Sequence, residues 1–88
     1  MEFYLSSNDF AFLKKYVPSA VDRIKKSYKE GNGVRFFLDD DDVIDFQLDI
    51  NDEIVDVGMD NQDTVNDIGI ELYKIYDELL YQKRNKWK

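Results

Sequence analysis

Asp39-Asp40-Asp41-Asp42-Val43-Ile44-Asp45-Phe46-Gln47-Leu48-Asp49-Ile50 is the stretch on which the reading of this 88-residue chain turns. Four aspartates open it, and apolar and polar residues then alternate. Alternation of this kind predicts a half-buried strand with Ile44, Phe46, Leu48 and Ile50 on one face. The stretch lies inside an acidic block: residues 36–73 hold thirteen acidic side chains and no lysine or arginine. Outside that block the balance reverses, with seven basic and four acidic residues in 1–35 and five and two in 74–88.

Working outward, Val34, Phe36 and Leu38 show the same period before the aspartates, and Val55, Val57 and Met59 show it after them. Three such runs predict a three-stranded antiparallel meander with one apolar face. Arg35, Phe37, Asp45, Gln47, Asp49, Ile54 and Asp56 fall on the other face, where Phe37 and Ile54 are the apolar misfits. Opposed residues must point the same way. Pairing Phe36 with Phe46 therefore requires a three- or five-residue loop centred on Asp41, with an aspartate in the left-handed region. Pairing Ile50 with Val55 sets a two-residue tip at Asp52-Glu53, or a four-residue loop that includes its neighbours. This register places Asp49 opposite Asp56 and Asp45 opposite Asp60, a repulsion of some tenths of a kcal/mol, roughly, per pair. Arg35 lies diagonally from Asp45 and Asp49 and offsets part of it.

Phe10, Leu13 and Val17 recur at helical spacing behind the cap types Ser6, Ser7 and Asn8, which predicts a helix over 8–16. Pro18 ends it and starts a second helix to Glu30 with Val21, Ile24 and Tyr28 inward, until Gly31-Asn32-Gly33 breaks it. Val65, Ile68, Leu72, Ile75 and Leu79 then mark a long C-terminal amphipathic helix, capped by Asp60, Asn61 and Asp63 and carrying Gly69 on its buried face. Residues 1–5 fit either a short edge strand or a staple onto the first helix. The expected fold is one two-layer α+β domain over residues 1–88, of order ααβββα, with the meander packed against the C-terminal helix.

Composition narrows the chemistry. Hydrophobic content of 43% with six Phe, six Tyr and one Trp is that of a chain that folds. A net charge of −7 repels nucleic acid, so no direct nucleic-acid binding is expected. No apolar run approaches the ~18 residues that span a bilayer. The N-terminus also lacks the basic and long apolar regions of a secretion signal, which makes a cytoplasmic protein without membrane contact the expectation. The chain has no cysteine and no histidine, so disulfides, thiolate nucleophiles and the commonest general base and metal ligand are absent.

The acidic loop invites a calcium reading, which fails on spacing. Neither Asp39 to Ile50 nor Asp49 to Asp60 supplies the alternating ligands, the central glycine and the final glutamate of an EF-hand. The hydroxyls of Ser6, Ser7, Ser19, Ser27 and Thr64 have no activating base, and a carboxylate pair needs a cleft that so small a domain scarcely has room for. No enzymatic role, cofactor or metal is expected. Lys14, Lys15, Arg23, Lys25, Lys26 and Lys29, and the tail around Trp87, read as solvated helix surface.

What remains is the acidic face. Asp39, Asp40, Asp41, Asp42, Asp45, Asp49, Asp56 and Asp60, with Phe37 and Ile54 as apolar anchors, form a candidate surface for a basic partner protein. A nucleic-acid-binding protein is one class that fits, the carboxylates standing in for phosphates. Inhibitor, antitoxin, immunity and DNA-mimic roles all accord with this reading. The competing expectation is a self-associating structural subunit, a homo-oligomer in which the acidic sheet of one copy meets the basic helices of another.

Overall fold

Asp40–Val57, which the alternating pattern assigns to two strands, is a single helix. The computed structural model describes residues 1–57, 59–60 and 64–86, and the side chains of 1–57 and 66–85. In chain order the elements are β1 (Glu2–Ser6), α1 (Ser7–Tyr16), α2 (Pro18–Val21), β2 (Lys26–Glu30), β3 (Gly33–Phe37), α3 (Asp40–Val57), β4 (Met59–Asp60), β5 (Thr64–Val65) and α4 (Asp67–Lys86). The chain is α+β, with a three-stranded antiparallel sheet and a long C-terminal helix, as its composition of runs implies. The strands, however, are different ones. Of the three expected, β3 alone is in the sheet, and the order along the chain is βααββαββα rather than ααβββα.

Two periodicities compete in residues 43–57, and the helical one wins. Val43, Phe46, Ile50 and Ile54 follow a 3-4-4 spacing and are all buried, with Gln47 beside them. Asp40, Asp41 and Asp42 occupy the first turn, where the helix dipole favours negative charge. Neither expected hairpin tip contains a glycine, so nothing in Asp39–Asp42 or Asp52-Glu53 enforces a reversal. The loop centred on Asp41, the tip at Asp52-Glu53 and the cross-strand opposition of Asp49 with Asp56 and Asp45 with Asp60 therefore do not occur. Like charges instead meet at i,i+4, in Asp41–Asp45, Asp45–Asp49, Asp49–Glu53 and Asp52–Asp56, at a cost of about 0.2–0.5 kcal/mol each.

The sheet is assembled around β3, which pairs with β1 on one side and β2 on the other. Residues 1–5 thus resolve into an edge strand. The second helix stops at Val21 instead of continuing to Glu30, because Gly31-Asn32 is a two-residue hairpin turn and not a helix terminator. Gly31 has φ +60°, the left-handed geometry that the first central position of mirror-image hairpin turns requires. Gly33 is excluded from side chains for another reason: a Cβ there would collide with the Tyr4 ring, whose hydroxyl crosses the strand to donate to Glu30 O at 3.0 Å.

The inward face of β3 is as its alternation predicts, with Phe36 and Leu38 buried and Phe37 turned away from the core. Phe36 is the hub. Its ring lies 5.7 Å from Phe3 of β1, 5.7 Å from Phe10 of α1 and 5.8 Å from Phe46 of α3, so one side chain joins sheet and helices. Leu72, Ile75 and Leu79 of α4 complete the core on the expected stripe, and Gly69 is buried as well. The cap of α4 lies later than expected: Asn66 Oδ1 accepts from Gly69 N–H at 2.9 Å. Asn66 Nδ2 also donates to Val57 O at 2.9 Å, so one side chain closes the end of α3 and the start of α4. Asn61 and Asp63 lie outside the described residues, as do Trp87 and the side chain of Asp60.

Candidate functional site

The outer surface of α3 carries two stripes that follow from its sequence and its burial. With Val43, Phe46, Ile50 and Ile54 turned inward, Ile44, Leu48 and Val55 fall together within roughly 40° of arc at about 100° per residue. They are 61%, 50% and 58% exposed. Asp41, Asp45, Asp52 and Asp56 form the adjoining stripe over the next 60° of arc, approximately, and are exposed along its length. An apolar row thus runs beside a carboxylate row along the whole helix.

The acidic residues expected to act together are brought to this one helix, apart from Asp39 just before it and Asp60 in β4. Their charges are not equally free. Arg23, after α2, donates from Nε to Asp49 Oδ2 at 2.7 Å and stands 3.8 Å from Asp45 Oδ2. The Asp49 hydrogen bond, the largest effect, and the charges of Asp49, Asp45 and Asp42 hold the Arg23 guanidinium protonated above its ordinary range, against desolvation. Asp49 is thereby an internal partner, its side chain only 20% exposed. Asp39 lies 3.7 Å from Lys25, and Asp40 lies 3.5 Å from the Met1 nitrogen; both carboxylates remain largely exposed.

The two apolar anchors read from the sequence do not hold. Ile54 is 1% exposed and belongs to the core, because position 54 continues the inward stripe of α3. Phe37 is on the outer face of the sheet, 6.2 Å ring to ring from Tyr28, on β3 rather than on the acidic helix. Their place is taken by Ile44, Leu48 and Val55, which the strand reading assigned to an interior face. Helical phasing of the inward set against Val43 was the signal that would have found them.

Nor is the sheet acidic. Its outer face carries Arg35 between Glu2 (2.6 Å) and Glu30 (2.6 Å), with the guanidinium 5.3 Å above the Tyr4 ring. Arg35 therefore pairs with the sheet's own glutamates, and the relief of Asp45 and Asp49 falls to Arg23. The basic surface is only partly helical: Lys14 and Lys15 lie in the last turn of α1, whereas Lys26 and Lys29 belong to β2 and Lys25 to the turn before it.

A second carboxyl contact, invisible in the sequence, joins α1 to α4. Glu71 faces Asp9, and hydrogen bonding to Asp9 by the protonated carboxyl, burial and the Asp9 charge raise Glu71 above its ordinary range, with Lys74 opposing. A groove lies between α1 and β2, lined by Phe10, Ala11 and Val34 together with Lys14 and Lys29. Among the described residues no helix is long and apolar enough to cross a membrane. No family model, curated protein or solved structure matches the chain.

Proposed function

We propose that this chain is a small binding protein without a catalytic role, which occupies a basic, apolar-floored surface of a partner protein through the outer face of α3. The paired stripes of that helix carry the reading. Ile44, Leu48 and Val55 supply the apolar area that gives an interface its affinity, and Asp41, Asp45, Asp52 and Asp56 supply the field that steers a cationic partner onto it. An amphipathic helix laid into a groove is an established recognition mode, read from anchors at helical spacing. A cytoplasmic inhibitor, antitoxin or immunity protein accords with such a surface.

A nucleic-acid-binding protein is one partner class within this reading. The outer stripe of Asp41, Asp45, Asp52 and Asp56 spans about 22 Å at 1.5 Å per residue. That is one charge per ~6 Å, about half the density of one duplex strand. The apolar stripe has no counterpart in a phosphate backbone, so the partner's groove has to offer apolar contacts as well as lysine and arginine.

Capture on the immobilised chain tests this. A partner that binds the unmodified chain should be lost with Ile44→Ser/Leu48→Ser and, separately, with Asp41→Asn/Asp52→Asn/Asp56→Asn. Retention of the same partner by both variants would remove α3 from the interface.

A further inference from the structure

The two edges of the sheet are finished differently. In β1 the outward backbone groups of Tyr4 are both taken by the side-chain amide of Gln82 from α4. In β2 all five residues are exposed, and no described residue hydrogen-bonds to its outer edge. Which groups face outward follows from the ladder. Ser7 N–H donates to Asn32 O at 3.0 Å and Leu38 N–H to Met1 O at 2.8 Å, so the even-numbered residues of β3 bond toward β1. Its odd-numbered residues bond toward β2, where they meet Lys26, Tyr28 and Glu30. The N–H and C=O of Ser27 and Lys29 are therefore the ones left pointing outward.

We propose that β2 pairs antiparallel with β2 of a second copy of this chain about a two-fold axis through Tyr28, joining two sheets into one of six strands. With Ser27 and Lys29 as the bonding residues, three symmetric registers are open. Centring on Ser27 sets Lys25 against Lys29, and centring on Lys29 sets that lysine against itself. Centring on Tyr28 sets Lys26 opposite Glu30 of the second copy, twice by symmetry, and leaves no like charges directly opposed. Ser27 and Lys29 then exchange both of their hydrogen bonds with Lys29 and Ser27 of the other copy.

Side chains support the same register. Tyr28 already lies 6.2 Å from Phe37, so meeting its own copy forms a row of four aromatic rings across the axis. Glu30 is held in place by Arg35 and presents its carboxylate to the incoming lysine. On the inner face the groove between α1 and β2 leaves space beside the strand for Ser27 and Lys29 of the second copy. Lys29 meets its symmetry mate only on the diagonal, about 7–8 Å away. This surface is distinct from α3, and its failure would leave the reading of α3 untouched.

The absence of native cysteine makes the register directly testable. Tyr28→Cys places two thiols at a non-hydrogen-bonded pair, with Cα atoms about 4.5 Å apart, within disulfide range. Lys26→Cys places them four residues out of register, about 14 Å apart. Treated with diamide, the first variant should give a covalent dimer and the second should not. Adding Ser27→Pro to Tyr28→Cys removes an outward N–H that the fold itself does not use, and should suppress cross-linking while circular dichroism stays unchanged. Should that proline perturb folding, Lys26→Glu, which sets Glu against Glu30, should weaken self-association of the unmodified chain about tenfold in sedimentation equilibrium. Equal cross-linking of both cysteines, or none at millimolar protein, would overturn the proposal and leave the edge to a foreign strand.

Discussion

Gln82 completes the backbone of Tyr4: Tyr4 N–H donates to Gln82 Oε1 at 2.8 Å, and Gln82 Nε2 donates to Tyr4 O at 2.6 Å. A helix side chain thus stands where another strand would pair. Gln82→Ala strands both groups at the sheet edge and should cost about 1–2 kcal/mol at roughly 1 kcal/mol per hydrogen bond. Urea denaturation reads the loss, and faster amide exchange at Tyr4 localises it. An unchanged midpoint would show that Gln82 contributes nothing to that edge.

Asn66 performs two tasks that substitution can separate. Asn66→Ala removes both the cap of α4 and the hydrogen bond to Val57 O, and should lower stability by about 1–2 kcal/mol. Asn66→Asp keeps the acceptor for Gly69 N–H and loses the donor to Val57 O. It should therefore retain at least half of the stability that alanine loses, as read from the two denaturation midpoints.

Glu71 gives a pH signature. Its carboxyl is raised by the Asp9 hydrogen bond, by burial and by the Asp9 charge. A folded-state value above the unfolded one contributes stability at low pH, which is lost as pH rises through the folded value. Glu71→Gln keeps a donor toward Asp9 at every pH. The variant should be more stable than the parent at pH 7, by about 0.3 kcal/mol for relieved like charges, and the difference should vanish near pH 4. A constant difference across that range would remove the carboxyl pair as its cause.

Gln47 is a polar residue on the inward stripe of α3, 7% exposed, and its Nε2 has no partner among the described residues. Gln47→Met conserves shape and removes that cost, so stability should rise by about 1 kcal/mol. A fall instead would mean that the amide is satisfied.

Where periodicity was unambiguous, the sequence was a sufficient guide. The 3-4 spacing of Ile68, Leu72, Ile75 and Leu79 placed α4, and the alternation of Val34, Phe36 and Leu38 placed β3 with Phe37 on its outer side. In residues 43–57 two patterns overlap, because Phe46 and Ile50 belong to both. The strand reading needed Ile44, Leu48 and Val55 inside, and these are the residues that α3 leaves in solvent. Exposed apolar residues thus corrupt the very period that locates the core. β2 was illegible for the opposite reason: Lys26–Glu30 has one apolar residue, Tyr28, and an exposed edge strand needs no buried face.

The most direct test of the central claim is chemical-shift mapping of the 15N-labelled chain titrated with the partner captured on it. The account predicts that the amides of Asp41, Ile44, Asp45, Leu48, Asp52, Val55 and Asp56 move together, marking one side of a helix. Shifts centred instead on Arg35, Phe37 and the outer face of the sheet, with α3 silent, would contradict it.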